Sequence, residues 1–133
     1  MYRVYVWIDG QGFDPDRFQA ESGASLGGTV GITKKLQNGN VICSRTYWKT
    51  EILRSISGHP EVELMELLLK LKLTIAQMKD RQNIRITAEI VQDISSYNEA
   101  NGIFIPSGVI QILAELGAGF DFDLSLRQNF EEG

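Results

Sequence analysis

The periodic segment from His59 to Arg81, the longest in the chain, places the strongest constraint on the fold. Pro60 suits the first position of a helix, where its missing N–H costs nothing, and His59 then occupies the N-cap position. Apolar residues recur at spacings of three and four along the segment, as on one buried face of a helix. The residues of this stripe are Leu64, Leu68, Leu71, Ile75 and Met78.

A second apolar strip runs along the same predicted helix, displaced from the first by about a third of a turn or more. Two interpretations are open: other elements flank the helix on both sides, or the second strip meets a partner chain. The first is favoured because most wide apolar helix faces belong to a core. The strip contains Val62, Met65, Leu69, Leu73 and Ala76.

The remaining elements are marked by alternation and by turn residues. Alternating apolar residues predict strands at 2–8, 84–94 and 118–126. Strands at 29–36 and 41–49 flank Asn38-Gly39, a pair that favours a type I′ hairpin turn. Asp14-Pro15 predicts the start of a short helix that ends near Gly23. Pro106 opens a third helix that Gly117 ends, and residues 103–105 are expected to form a short strand before it.

The predicted order is β-α-β-β-α-β followed by a short strand, a helix and a final strand. Its first six elements match the ferredoxin-like order. We therefore predict a single α+β domain over residues 1–133, a two-layer sandwich with helices on one face of a mainly antiparallel sheet.

Composition limits the setting and the partners of the chain. It has 133 residues, a formal net charge of −4 and one cysteine, so no internal disulfide is possible and a reducing compartment is expected. The apolar run at the N-terminus is too short for a signal peptide or a membrane span, and we expect a cytoplasmic protein without membrane contact. Nucleic-acid binding is disfavoured because it requires a basic stripe.

Few residues of the sequence are candidates for catalysis or metal binding. His59 is the only histidine and Cys43 the only cysteine, so we predict no metal site of the zinc type, no cofactor and no catalytic residue. A buried, inert thiol is expected at Cys43. Enzymatic activity is therefore the less favoured interpretation.

Asp121 and Asp123 form the best carboxylate pair for a ligand or a metal ion. At positions i and i+2 of a strand they share a face and lie close enough to share a cation. The alternative is a solvated strand face, since the two residues alternate with Phe120, Phe122 and Leu124, which are expected to face inward. Arg85 or Arg3 is the expected partner if these acids face neighbouring strands.

The face of the sheet opposite the helices is the stronger functional candidate. Tyr5, Trp7 and Arg85 are predicted to lie there, and Arg45 and Tyr47 alternate together in the third strand, on a side that the pattern leaves open. Aromatic residues mixed with arginine are typical of protein interfaces and also of sheets that stack single-stranded bases. The acidic charge favours a protein partner over nucleic acid. The alternative is that a loop or the sheet of a second subunit covers these residues, or that Trp7 packs in a small core of its own.

Three stretches carry a resemblance to a known family. They are the opening strand with Asp14-Pro15, the run Arg45-Thr46-Tyr47-Trp48, and the C-terminal run from Gly102 to Leu126, which includes Phe-Asp-Phe-Asp-Leu. On these the chain resembles the bacterial family of domain of unknown function 4279 (DUF4279). The resemblance implies a small bacterial cytoplasmic protein and assigns no catalytic residue.

Two functions remain in view. The first is a noncatalytic protein-binding module that acts as a homodimer or as the acidic partner of a basic protein, in the manner of small bacterial immunity proteins or antitoxins. The second is a small-ligand-binding protein or enzyme that uses Asp121, Asp123 and Arg85 near one edge of the sheet.

Overall fold

The computed structural model describes residues 1–56, 58–78 and 83–126, apart from the side chain of Cys43. The prediction of an inert thiol at Cys43 therefore lies outside the described residues. The described residues form six strands and three helices, extended by a π-helical turn at Gln19–Gly23 and a 3-10 turn at Tyr97–Glu99. In chain order they are β1 (Tyr2–Asp9), α1 (Pro15–Phe18), β2 (Thr29–Gln37), β3 (Asn40–Lys49), β4 (Leu53–Ser55), α2 (Pro60–Ala76), β5 (Arg85–Ile94), α3 (Ser107–Leu116) and β6 (Ala118–Leu126).

The strands form one strongly curled sheet in the order β2-β3-β1-β5-β6. β1 pairs with β5 along its whole length, and β3 and β4 share its other edge. β5 and β6 are parallel, whereas the other pairs are antiparallel. The prediction of an α+β fold with a mainly antiparallel sheet is confirmed. The sequence pattern missed β4, because three residues are too few to show an alternation.

Local signals placed most element ends correctly. The Asp14 carboxylate accepts a hydrogen bond from the Arg17 N–H at 3.1 Å, as an N-cap residue does. Asn38 and Gly39 have φ values of 53° and 79°, which a type I′ turn requires. Gly117 ends α3 with a left-handed φ of 65°.

Two predicted elements need correction. Residues 103–105 form no strand: they lie in an irregular connector whose Ile103 and Ile105 pack against the core while Phe104 points outward. Alternating burial in an extended connector produces the same pattern as a strand. The long helix ends at Ala76 with Gln77 as its C-cap, earlier than the apolar periodicity indicated.

The hydrophobic core lies between α2, α3 and the inner face of the sheet. β1 contributes every second residue, and α2 contributes the predicted stripe together with Leu67, which the pattern did not single out. The buried members of this core include Val4, Val6, Ile8, Leu64, Leu67, Leu68, Leu71, Ile75, Ile86, Ala88, Ile90, Val109, Leu113 and Leu116.

The second apolar strip of α2 is largely uncovered, which contradicts the expectation that other elements flank the helix on both sides. Val62, Leu69 and Leu73 are exposed, and only Met65 is half-buried, near Gly108 of α3. The side chains of Phe120 and Leu124 lie on the inner face of β6 as predicted but remain about 40% exposed, because β6 is an edge strand of the sheet.

Trp48 anchors the β2–β3 hairpin to the core. Its ring is fully buried and meets the Phe18 ring edge-on, with centroids 4.7 Å apart. Its Nε1–H donates to Gln19 Oε1 at 2.7 Å, and Gln19 Nε2 donates to the Gly28 carbonyl at 2.9 Å. Since side chains alternate along a strand, burial of Trp48 turns Tyr47 and its alternate neighbours to the opposite face.

Glycine makes room for this indole. A Cβ atom on Gly28 would overlap the Trp48 ring, and one on Gly23 would overlap its Nε1. We expect Gly28→Ala to lower the free energy of unfolding by about 1–3 kcal/mol, as overpacking of a core typically does. Urea denaturation followed by far-UV circular dichroism measures this change.

Gly102→Ala is the matched control, because a Cβ there meets no atom within 4 Å and its φ is not positive. Its effect should stay within about 0.5 kcal/mol, as for most surface changes. Equal effects of the two substitutions would contradict the proposed packing of Trp48.

Candidate functional site

A groove of about 350 Å³ lies on the face of the curled sheet opposite the helices. We call it the open-face groove. Five strands contribute to it, and it is lined by Tyr5, Trp7, Asp9, Thr33, Arg45, Tyr47, Lys49, Glu89 and Asp121. Four of the five predicted partner-binding residues line this groove, and the fifth, Arg85, bonds to Asp9 at its rim. Asp121 lines it as well, with Asp123 beside it in the same acidic cluster.

Strand alternation and register bring these side chains to one face. Val4, Val6 and Ile8 are buried in the core, so Tyr5 and Trp7 point away from it. Tyr5 is paired with Glu89, which is in turn paired with Asp121, and paired residues share a face of the sheet. The hairpin residues Arg45, Tyr47 and Lys49 reach the groove because Trp48 between them points into the core.

Tyr47 forms part of the groove wall because a glycine faces it. Gly31 is its partner across the β2–β3 ladder, and a Cβ on Gly31 would overlap the Tyr47 ring. The ring therefore lies over the glycine and covers the backbone of β2.

Asp9 organises the basic end of the groove. Its side chain is 1% exposed and accepts hydrogen bonds from Arg85 Nε and Nη2, at 3.0 and 2.8 Å. Arg45 Nη1 donates to it at 3.3 Å, and the Arg85 guanidinium lies 5.5 Å from the centroid of the Trp7 ring. We call Asp9, Arg45 and Arg85 the Asp9 cluster; with one carboxylate and two guanidiniums it carries one net positive charge.

The arginines have partners other than those predicted. Arg85 pairs with Asp9, and Arg3 pairs with Asp93 through bonds of 2.9 and 3.0 Å, so neither neutralises Asp121 or Asp123. The predicted first strand, residues 2–8, ended before Asp9. Only the strand register, which pairs Asp9 with Arg85, reveals its role.

Three carboxylates form the acidic end of the groove. One oxygen of Glu89, one of Asp121 and one of Asp123 lie within 4.8 Å of one another. We call these residues the acidic triad. Within the ranges that the structure describes, no lysine or arginine nitrogen lies within 4.0 Å of them. The sequence pattern did not identify Glu89 as a third member, because the register between β5 and β6 is not visible in the sequence.

The environment of the acidic triad changes the pKa of Glu89 and of the neighbouring Tyr5. Burial raises the pKa of Glu89 to about 7, and the hydrogen bond and charge of Asp123 add to this, whereas the Tyr5 hydroxyl opposes it. Burial and the neighbouring Glu89 carboxylate also raise the pKa of Tyr5. The Lys49 ammonium lies 5.2 Å from the centroid of the Tyr5 ring, a cation–π contact that places its charge at the same end of the groove as Glu89, which pairs with Tyr5.

The model of a family described as a domain of unknown function, DUF4279, matches residues 1–127. The chain belongs to the DUF4279 family. The family resemblance seen in the sequence is thereby confirmed. No curated protein and no solved structure is significantly similar to the chain. None of the helices in the described ranges has the length and apolar character needed to cross a membrane.

The raised pKa of Glu89 predicts a pH dependence of stability. The unfolded carboxyl ionises near pH 4.5 and the folded one near pH 7, so the folded state binds more protons between these values. The free energy of unfolding therefore loses this contribution as pH rises from about 4.5 to 7. We expect Glu89→Gln to gain stability relative to the native chain across that window, measured by urea denaturation at pH 4.5, 6 and 8.

Glu21→Gln is the control, because Glu21 lies on the far side of the molecule in an exposed pair with Arg17. Its difference from the native chain should show no comparable gain over the same window. A pH-independent difference for Glu89→Gln would contradict the assignment of a proton to the acidic triad.

Proposed function

We propose that this chain is a noncatalytic protein-binding module whose binding site is the open-face groove. The observation that carries the proposal is the convergence of Tyr5, Trp7 and Tyr47 with two half-exposed guanidiniums in one groove. Buried aromatic and arginine side chains supply most of the energy at protein interfaces. A concave surface lets a partner bury these rings from several sides at once.

The polar groups of the groove support recognition rather than turnover. Asp9 is held by two arginines and Lys49 lies over Tyr5, so these charges are positioned by contacts within the sheet. Groups held in this way keep their geometry without a ligand, which lowers the entropy cost of binding.

The proposed setting is the bacterial cytoplasm, supported by the family resemblance and by the single cysteine. The partner is another protein, as in immunity or antitoxin pairs, or a second copy of the chain. The uncovered strip of α2, with Val62, Leu69 and Leu73, would suit self-association. The acidic triad opposes a nucleic-acid backbone in the same groove.

We expect Trp7→Ala/Tyr47→Ala to abolish capture of a stoichiometric partner from native lysate, because it removes two aromatic anchors from the groove. Affinity capture of tagged protein with mass spectrometry measures this, and circular dichroism confirms folding. Tyr97→Ala is the matched control, since this tyrosine is exposed outside the groove and its loss should leave capture unchanged. A partner captured equally by all three forms would contradict the groove as the binding site.

The acidic triad favours a second candidate function, the binding of a small cationic ligand or metal ion. Three carboxylate oxygens within 4.8 Å provide the hard ligands that calcium and magnesium prefer. This candidate ranks second because Asp121 and Asp123 are exposed, and exposed acidic groups are common without an ion.

A calcium and magnesium titration tests the second candidate. Binding at the acidic triad should change the fluorescence of the nearby Trp7 at submillimolar calcium, and Asp123→Asn should weaken the response at least tenfold. Asp16→Asn, on α1, serves as the control for a change in surface charge. An unchanged spectrum at millimolar calcium and magnesium would exclude a cation site of useful affinity.

We also propose that the first six predicted elements form a ferredoxin-like unit. The strand order β2-β3-β1-β5 with antiparallel neighbours supports this assignment. In this view α3 and β6 extend the unit at one edge, and the curl of the sheet turns a flat two-layer face into a groove.

A further inference from the structure

We infer that the partner of the open-face groove is an extended protein segment that presents an acidic side chain to the Asp9 cluster and a basic side chain to the acidic triad. This inference rests on the proposed function and adds the chemistry of the partner. It is carried by the opposite charge at the two ends of one groove, by the distance between them and by the aromatic surface that connects them.

The basic end is built to receive a carboxylate. Two guanidiniums share one buried carboxylate, and that carboxylate accepts only three of their many N–H donors. The side chains of Arg45 and Arg85 are 56% and 55% exposed, so the remaining donors are accessible. Because Asp9 holds both arginines in place, an incoming carboxylate meets donors that are already oriented.

The acidic end of the groove is suited to a positively charged group. Asp9 and Asp93 are each neutralised by arginine, whereas the acidic triad has no such partner within the described ranges. Its three carboxylates repel one another at close range, and a cation from a partner would relieve that repulsion. A lysine or arginine side chain of the partner supplies this charge in addition to Lys49, whose ammonium lies over the Tyr5 ring and forms no ion pair with the three carboxylates among the described residues.

The spacing of the two ends selects an extended segment. Tyr5 is paired with Glu89 at the acidic end and Asp9 with Arg85 at the basic end, four residues apart on each strand. Four residues of strand span about 13 Å. A free amino acid, whose α-ammonium and α-carboxylate groups are attached to the same carbon, cannot reach both ends, whereas an extended peptide reaches them with residues i and i+4.

The middle of the groove favours an apolar or aromatic residue between the two charges. Trp7 lies between Tyr5 and Asp9 on β1, and Tyr47 lines the same groove from β3. Lys49 is paired with Trp7 across β1 and β3, but its ammonium lies over Tyr5 at the acidic end, so the apolar surface of Trp7 occupies the centre. The complementary segment is therefore acidic at one end, apolar in the middle and basic at the other end.

Selection from a phage-displayed library of random peptides of about twelve residues tests this inference. Peptides enriched by the native chain but not by Trp7→Ala/Tyr47→Ala are the groove-dependent set. We expect this set to carry an acidic and a basic residue about four positions apart, the spacing that matches the two ends. Charge reversal of both residues in a synthetic copy should weaken binding at least tenfold by fluorescence anisotropy.

Two charge variants test the two ends of the groove separately. Asp121→Lys should shift selection away from the basic residue, and Arg45→Met should relax the requirement for the acidic one. Asp16→Lys makes the same charge change on exposed α1 and should leave the enriched pattern as in the native chain. Identical pattern shifts with Asp16→Lys and Asp121→Lys would overturn the inference, because net charge rather than the groove would then select the peptides.

The remaining outcomes separate this inference from the proposed function. Groove-dependent peptides without the paired charges overturn the inference and leave the binding module in place. A library from which no groove-dependent peptide is enriched overturns the peptide inference; if affinity capture with Trp7→Ala/Tyr47→Ala then also shows no groove-dependent partner, the proposed function falls with it.

Discussion

The burial of Trp48 is the constraint on which the rest of the structure depends. Its ring fills the space between Phe18 and the glycines of the loop before β2, and its N–H is satisfied by Gln19. Strand alternation transmits this one orientation along the hairpin. The side chains of Arg45, Tyr47 and Lys49 consequently face the groove, so a packing decision in the core determines the composition of the candidate site.

Asp9 connects the hairpin to the central strands through charge, as Trp48 connects it to the core through packing. A carboxylate this deeply buried would be costly without charged partners. Here the two arginines come from β3 and β5, so the same contacts tie the hairpin to the central strands. In the proposed function, structural and recognition roles fall on the same side chains, with the exposed part of each guanidinium left for a partner.

The open-face groove combines features that are common separately. Aromatic rings supply apolar area, the Asp9 cluster supplies positive charge, and the acidic triad supplies negative charge at the other end. The raised pKa of Glu89 means that the acidic end becomes more negative as pH rises through neutrality, so a cationic group of a partner would bind there more tightly at higher pH. A protein partner with matching polarity explains the arrangement better than a nucleic acid, whose backbone carries one sign of charge.

The sequence by itself determined the class of fold, the long helix, the hairpin turn and the two-residue alternation that put Tyr5 with Trp7 and Asp121 with Asp123. These follow from local physics: turn conformations, capping and side-chain period act within a few residues. Tertiary structure alone decided the buried role of Asp9, the third carboxylate Glu89, the side of the hairpin that Arg45 and Tyr47 occupy, and the exposure of the second strip on α2. Each of these features depends on strand register or on packing between segments that are far apart in the sequence. The pattern of residues along one sequence does not reveal which distant segments lie close together in space.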